Sequence, residues 1–173
     1  MGDSVITIIA IFLAAILMFI FPLMSLSERT DNIAELSVQT ATAEFVDEVR
    51  TTGKLSTESY YKFLNTINST GNTFEIDMQI QQLDENPGKK TTQATATKIG
   101  ENIYYSIYTT QINAELKKYD VIHLKEGDIF MVKVKNTNKT ISQSLRNFAY
   151  RISGNDVYQI AAEHGGIVTV NGK

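Results

Sequence analysis

An α+β chain, with one long N-terminal helix leading into a head built on an antiparallel sheet of about four or five strands covered by helices, is what three patterns predict. The first is an uninterrupted apolar run from Val5 to Met24, VITIIAIFLAAILMFIFPLM. The second is a stripe of helical period behind it: Ala34, Val38, Ala41, Phe45 and Val49. The third is a change to period-two alternation in Thr73 to Gln81 and again from Phe130 to Lys135. The division that follows is an N-terminal transmembrane or assembly helix, 1–51, and an α+β head, 52–173.

The apolar run holds twenty residues with no charge, Asn or Gln. As a helix it is about 30 Å long, the thickness of a bilayer's hydrocarbon core. Only a helix satisfies its own backbone in lipid, so a membrane-spanning helix is expected. A buried core helix would be unusually apolar for a chain this size. A cleaved signal peptide would need a basic start and a shorter apolar run, although Ser25-Leu26-Ser27 is a weak cleavage site. Met1-Gly2 fits the opening of a myristoylation signal, but Ile6 stands where Ser or Thr is required.

Pro22 lies near the end of the run and is expected to bend the helix. From Ser25 to Thr51 there is no Pro or Gly, and the stripe Ala34 to Val49 repeats at four, three, four and four residues. Glu28, Arg29, Asp31, Glu35, Asp47, Glu48 and Arg50 fall off that stripe, and Gly53 is a plausible stop. One helix, greasy all round and then amphipathic, is the simplest reading; two helices hinged at 25–27 is the other.

Ser56-Thr57-Glu58-Ser59 is a cap for a helix carrying Tyr60, Phe63, Leu64 and Ile67, closed by Ser69 to Asn72. In Thr73 to Gln81, Phe74, Ile76, Met78 and Ile80 form a dry face opposite Glu75, Asp77, Gln79 and Gln81. Asp84 to Lys90 is a loop, and 91–98 continues it as loop or edge strand. Tyr105, Tyr108, Ile112, Leu116 and Tyr119 make a helical stripe over 103–118. Val121 to Lys125 and the alternating Phe130, Val132 and Val134 read as a hairpin across Glu126-Gly127-Asp128. Asn136 to Thr140 starts a helix bearing Ile141, Leu145, Phe148, Ala149 and Ile152, ended by Gly154. Val157 to Glu163 and Ile167 to Val170 form a last hairpin across His164-Gly165-Gly166.

Composition removes several function classes. With Asp3 set aside, every charge lies beyond Ser27, 16 basic against 18 acidic, with no Lys/Arg cluster to meet phosphates. Nucleic acid is not an expected partner. The absence of cysteine rules out disulfides and thiolate metal sites. His123 and His164 lack ligand spacing, and His164 reads as exposed in a Gly-Gly turn. There is no serine-hydrolase elbow, phosphate loop or dinucleotide fingerprint. Glu75 and Asp77 share a wet strand face but read as a solvated surface, and Asp84-Glu85-Asn86 lacks calcium-loop spacing. Asn68-Ser69-Thr70 and Asn138-Lys139-Thr140 match the glycosylation pattern, a common chance match. Tyr60, Tyr61, Tyr104, Tyr105, Phe148 and Tyr150 read as core or sheet cover. No catalytic residue, cofactor or metal is expected. Arg29 alone, near the end of the span, does not set its orientation.

Residues 5–24, Pro22 and the stripe from Ala34 to Val49 resemble the layout of type IV pilins and the pilin-like subunits of secretion and tight-adherence systems. The tail, Leu145-Arg-Asn-Phe, Ser153-Gly-Asn-Asp-Val-Tyr and His164-Gly-Gly-Ile-Val, is similar to that of membrane-anchored, pilin-like or conjugation-associated proteins of Gram-positive anaerobes. The resemblance implies a structural subunit of a surface filament with its head outside the cytoplasm. Its partners would be copies of itself, membrane lipid and filament-assembly or secretion machinery. It implies an assembly surface of Asp3, Val5, Ile9, Phe12, Ile16, Phe19, Pro22 and Leu26. Ala34, Val38, Ala41, Phe45 and Val49 would pack the helix on the head. The family's basic leader is missing, and Val5 is apolar where a Glu usually stands at the fifth mature position. Asp3 is the only acid placed to replace it by neutralising a neighbour's α-amine. A single-pass anchored scaffold or adhesion component that does not polymerise is the alternative.

Overall fold

The computed structural model describes residues 2–83, 104–141, 143–144 and 161–173. The chain is α+β, a long helix followed by a head with two antiparallel sheets, one of four strands and one of two. Helix α1 runs from Gly2 to Thr52 without a break, so there is no hinge at 25–27 and Pro22 lies inside it. At about 1.5 Å per residue it is a rod of about 76 Å. It ends where Gly53 turns left-handed (φ +66°) and donates its N–H to the Val49 carbonyl at 2.9 Å. That is the usual way an α-helix closes on glycine.

A short strand β1, Lys54–Ser56, follows and leads into α2, Thr57–Asn68. The expected cap is present: Ser56 Oγ accepts from the Ser59 N–H at 3.1 Å, and the Ser56 N–H donates to Ser59 Oγ at 3.3 Å. β2 spans Phe74–Leu83, β3 Tyr104–Tyr108, α3 Thr109–Tyr119, β4 Val121–His123, β5 Ile129–Asn136 and β6 Ala161–Ile167. The larger sheet runs in the order β3-β2-β5-β6, and β1 pairs with β4 in the smaller one.

Three expectations are corrected. The stripe over 103–118 is not one helix: Tyr104 to Tyr108 form the edge strand β3, with Tyr105 opposite Gln82 and Tyr108 opposite Gln79. Thr109 marks the change, its hydroxyl accepting from the Met78 N–H at 2.7 Å and donating to the Met78 carbonyl at 3.2 Å. Tyrosines three apart share a helix face but lie on opposite faces of a strand, so the local period pointed to a helix. The edge of β2, which Tyr104 to Tyr108 pair with, decides the matter.

The pair flanking Glu126-Gly127-Asp128 is not a hairpin. The turn exists, with the Asp128 N–H donating to the Lys125 carbonyl at 3.1 Å. Its arms join different sheets: Leu55 lies opposite Ile122, whereas β5 pairs with β2 along Phe74–Gln81. The buried Asp128 carboxylate holds the crossing, accepting from the Lys125 N–H at 2.9 Å and the Leu83 N–H at 3.2 Å.

The last hairpin is also absent. His164-Gly165-Gly166 continues β6, with Gly165 opposite Met131 and Gly166 opposite Phe130. A Cβ on Gly165 would stand 2.4 Å from Met131 Cγ, and one on Gly166 would stand 2.6 Å from Arg50 Cζ. These glycines give room to neighbouring side chains and make no turn. The loop at 84–98, the helix beyond 144 with its end at Gly154, and the strand start at 157 fall outside the described residues. At that helix's start Thr140 and Gln143 cap each other at 3.2 Å, and Ile141, expected inward, is 65% exposed.

One core joins these parts. Ala34, Val38, Phe45 and Val49 of α1 lie with Phe63 and Ile67 of α2 and with Met78, Ile80, Phe130, Val132 and Val134 of the sheet. Phe45 is its centre, stacked on Phe63 at 4.7 Å and meeting the Phe130 ring edge-on at 5.8 Å.

Candidate functional site

Helix α1 is long and apolar enough to cross a membrane, and the apolar part of it is unburied. Val5, Ile9, Phe12, Ile16, Phe19 and Leu26 are between 50% and 71% exposed, and Pro22 is exposed beside them. Water would make this surface costly, at about 25 cal/mol for each Å² of apolar area. Something apolar must cover it. Asp3 stands in the first turn of α1, and its side chain lies outside what is described.

Past Met24 the helix acquires two faces. Towards the head it buries Asp31, Ala34, Val38, Ala41, Thr42, Phe45, Val46 and Val49. Asp31, expected off the stripe, belongs to it, because the spacing 31, 34, 38 extends the same period by one step. Its carboxylate is 4% exposed and accepts a hydrogen bond from Thr140 Oγ1 at 2.7 Å. Thr42 fits the packed face because its hydroxyl returns to the Val38 carbonyl at 2.7 Å.

The opposite side of α1 carries two large apolar residues among polar ones, with Arg29 and Thr40 exposed on the same side. Ile33 and Leu36 are 61% and 64% exposed, in line with Leu26. At about 100° per residue they stand nearly opposite Val38. Leu36 lies about 18 Å beyond Met24 along the axis, outside the stretch long enough to match a hydrocarbon core. The signal was present in the sequence as two large apolar residues off the inward stripe.

The far end of α1 is stitched to β6 and the tail. Arg50 Nε donates to the Ile167 carbonyl at 3.0 Å, and the Arg50 carbonyl accepts from the Thr169 N–H at 3.0 Å. Asp47 Oδ1 takes Arg50 Nη1 at 2.7 Å and lies 3.5 Å from His164 Nε2. The second contact lacks hydrogen-bond geometry. His164, expected in an exposed turn, thus stands over the helix end. From Asp31 onward the rod is thus buried on one side and tied down at its end.

The remaining chemistry-bearing residues stay dispersed. Glu75 and Asp77 lie on the wet face of β2 opposite Lys135 and Lys133, and Lys133 pairs with Glu163 at 3.2 Å. His123 is exposed at the end of β4. Among the described residues no three His, Asp or Glu side chains come together as a metal site. Burial, and then the neighbouring Tyr61, push the Tyr60 hydroxyl above its usual 10.0. No family model, curated protein or solved structure matches the chain.

Proposed function

We propose that this chain is a single-pass membrane protein with its head outside the cytoplasm, and that it is a structural subunit of a pilus-like or pseudopilus-like surface filament. The apolar half of α1 is stored in lipid as a monomer. It is then buried against copies of itself, so it meets water at neither stage. Membrane insertion rests on the twenty-residue run and its length, orientation on the layout. The observation that carries polymerisation is the exposure of the whole apolar half of α1, with Leu26, Ile33 and Leu36 also exposed on the side the head leaves uncovered. A neighbouring helix would cover all of them, whereas lipid covers only the span.

The alternative, an anchored scaffold or adhesion component of a secretion or conjugation machine, needs only the span and the head. Electron microscopy of sheared, detergent-free surface material separates the two. A filament subunit appears there as fibres, whereas a fixed anchor stays with the membrane. Ile33→Lys with Leu36→Lys should cut fibre yield about tenfold while leaving head stability within about 0.5 kcal/mol, as surface changes do. Fibres at parental yield from that double variant would remove the proposed interface. Asp3→Ala tests the N-terminal pairing in the same assay: normal yield excludes a role for that carboxylate.

A further inference from the structure

At the membrane-distal end of the head, α2 and α3 leave a cleft of about 390 Å³ between them. Its place follows from the chain path. β1 and α2 begin directly after α1 ends at Thr52, about 42 Å along the rod from Met24. The end of the cleft is closed by Asp120, whose carbonyl accepts from the Thr57 N–H at 2.8 Å and from Thr57 Oγ1 at 3.0 Å. The floor is Leu116, which is buried, with Leu64 and the ring of Tyr60. That ring is held from behind by Phe45, 6.2 Å between centroids, and flanked by Tyr61 at 6.4 Å. Tyr61, which the sequence suggested as cover for the core, is 60% exposed and forms one wall.

The rim carries polar groups of several kinds: the Asn113 amide, the Lys117 ammonium, the Asp120 carboxylate and the two phenols. Neither phenol makes a hydrogen bond among the described residues. A phosphate site would concentrate positive charge, and here one lysine is matched by one aspartate. A flat hydrocarbon would leave these donors and acceptors unpaired. The matching ligand has an apolar face for the tyrosines and, around its edge, groups that both give and accept hydrogen bonds. A sugar ring has that form, and the volume lies in the range of about 300–1,000 Å³ usual for small-ligand clefts. We propose that the cleft between α2 and α3 binds a pyranose unit of a surface glycan, the ring stacked on Tyr61 and its hydroxyls held by Asn113, Lys117 and Asp120. The inference rests on the proposed placement of the head outside the cytoplasm and is independent of whether the chain polymerises.

Saturation-transfer NMR on the full chain in lipid nanodiscs tests it, with maltotriose and triacetylchitotriose as probes and glycerol as control. The expected result is saturation of ring C–H protons of one trisaccharide and none of glycerol. Tyr61→Ala and Lys117→Ala, both at exposed positions, should each weaken that binding about tenfold, and Tyr61→Phe should keep it. If neither trisaccharide receives saturation, or if Tyr61→Ala binds as the parent does, the assignment is overturned.

Discussion

Gly53 shows how one residue fixes the handover from rod to head. At φ +66° a side chain is strained, and a Cβ would stand 2.4 Å from both the Val170 carbonyl oxygen and the Gly172 nitrogen. Gly53→Ala should therefore lower stability by about 2 kcal/mol or more, read as a shifted denaturant midpoint. Asp31 is the second such residue. Asp31→Ala leaves the half-buried Thr140 hydroxyl without its acceptor and should cost about 1 kcal/mol in the same measurement. Tyr60 gives a pH dependence. Its pKa is raised in the folded state, so folding favours the neutral phenol. The stability it contributes is present below about pH 10 and is lost as pH rises through the folded value, so Tyr60→Phe should flatten the alkaline fall in stability. Gly53 was legible as a stop because glycine ends helices. Asp31 was not, because a carboxylate inside an apolar stripe reads as surface until its partner, 109 residues away, is known.

Among the elements, those defined by local chemistry were the readable ones. α2 announced itself through Ser56 and Ser59, and β2 through four apolar residues alternating with polar ones. The elements defined by partners were missed or mispaired: β4 was legible as a strand but not its partner, and β1 was not legible at all. β1 and β4 are three residues each and exist because they pair with one another. β6 runs through two glycines because β5 and Arg50 occupy the space their side chains would need. α1 combines both cases: its length and period are local properties, but which apolar residues it buries depends on the head. Phe45→Ala should cost about 3–5 kcal/mol, because it empties the centre of a three-ring cluster. A correspondingly small loss at Phe45 would mean that the helix rests on the head without sharing its core.

For the whole molecule, the decisive point is where α1 stops being lipid-like and starts being core. A chain lacking residues 1–26 keeps every buried residue of α1 and should be a soluble, folded head with dispersed NMR signals. One lacking residues 1–52 loses Ala34, Val38, Ala41, Phe45, Val46 and Val49 from the core and should not fold, giving a coil-like circular dichroism spectrum. The candidate interface divides along the same line. Its apolar extent could be read residue by residue, since hydropathy belongs to each side chain alone. That Asp31 faces into the head could not. The sequence by itself determined the α+β class, a helix with a greasy first half and an amphipathic second half, and the caps, because propensity, period and capping act within a few residues. Strand order, the exchange between sheets at Asp128 and the free face of the rod were decided by tertiary structure alone, because each depends on which distant segment reaches a surface first and covers it.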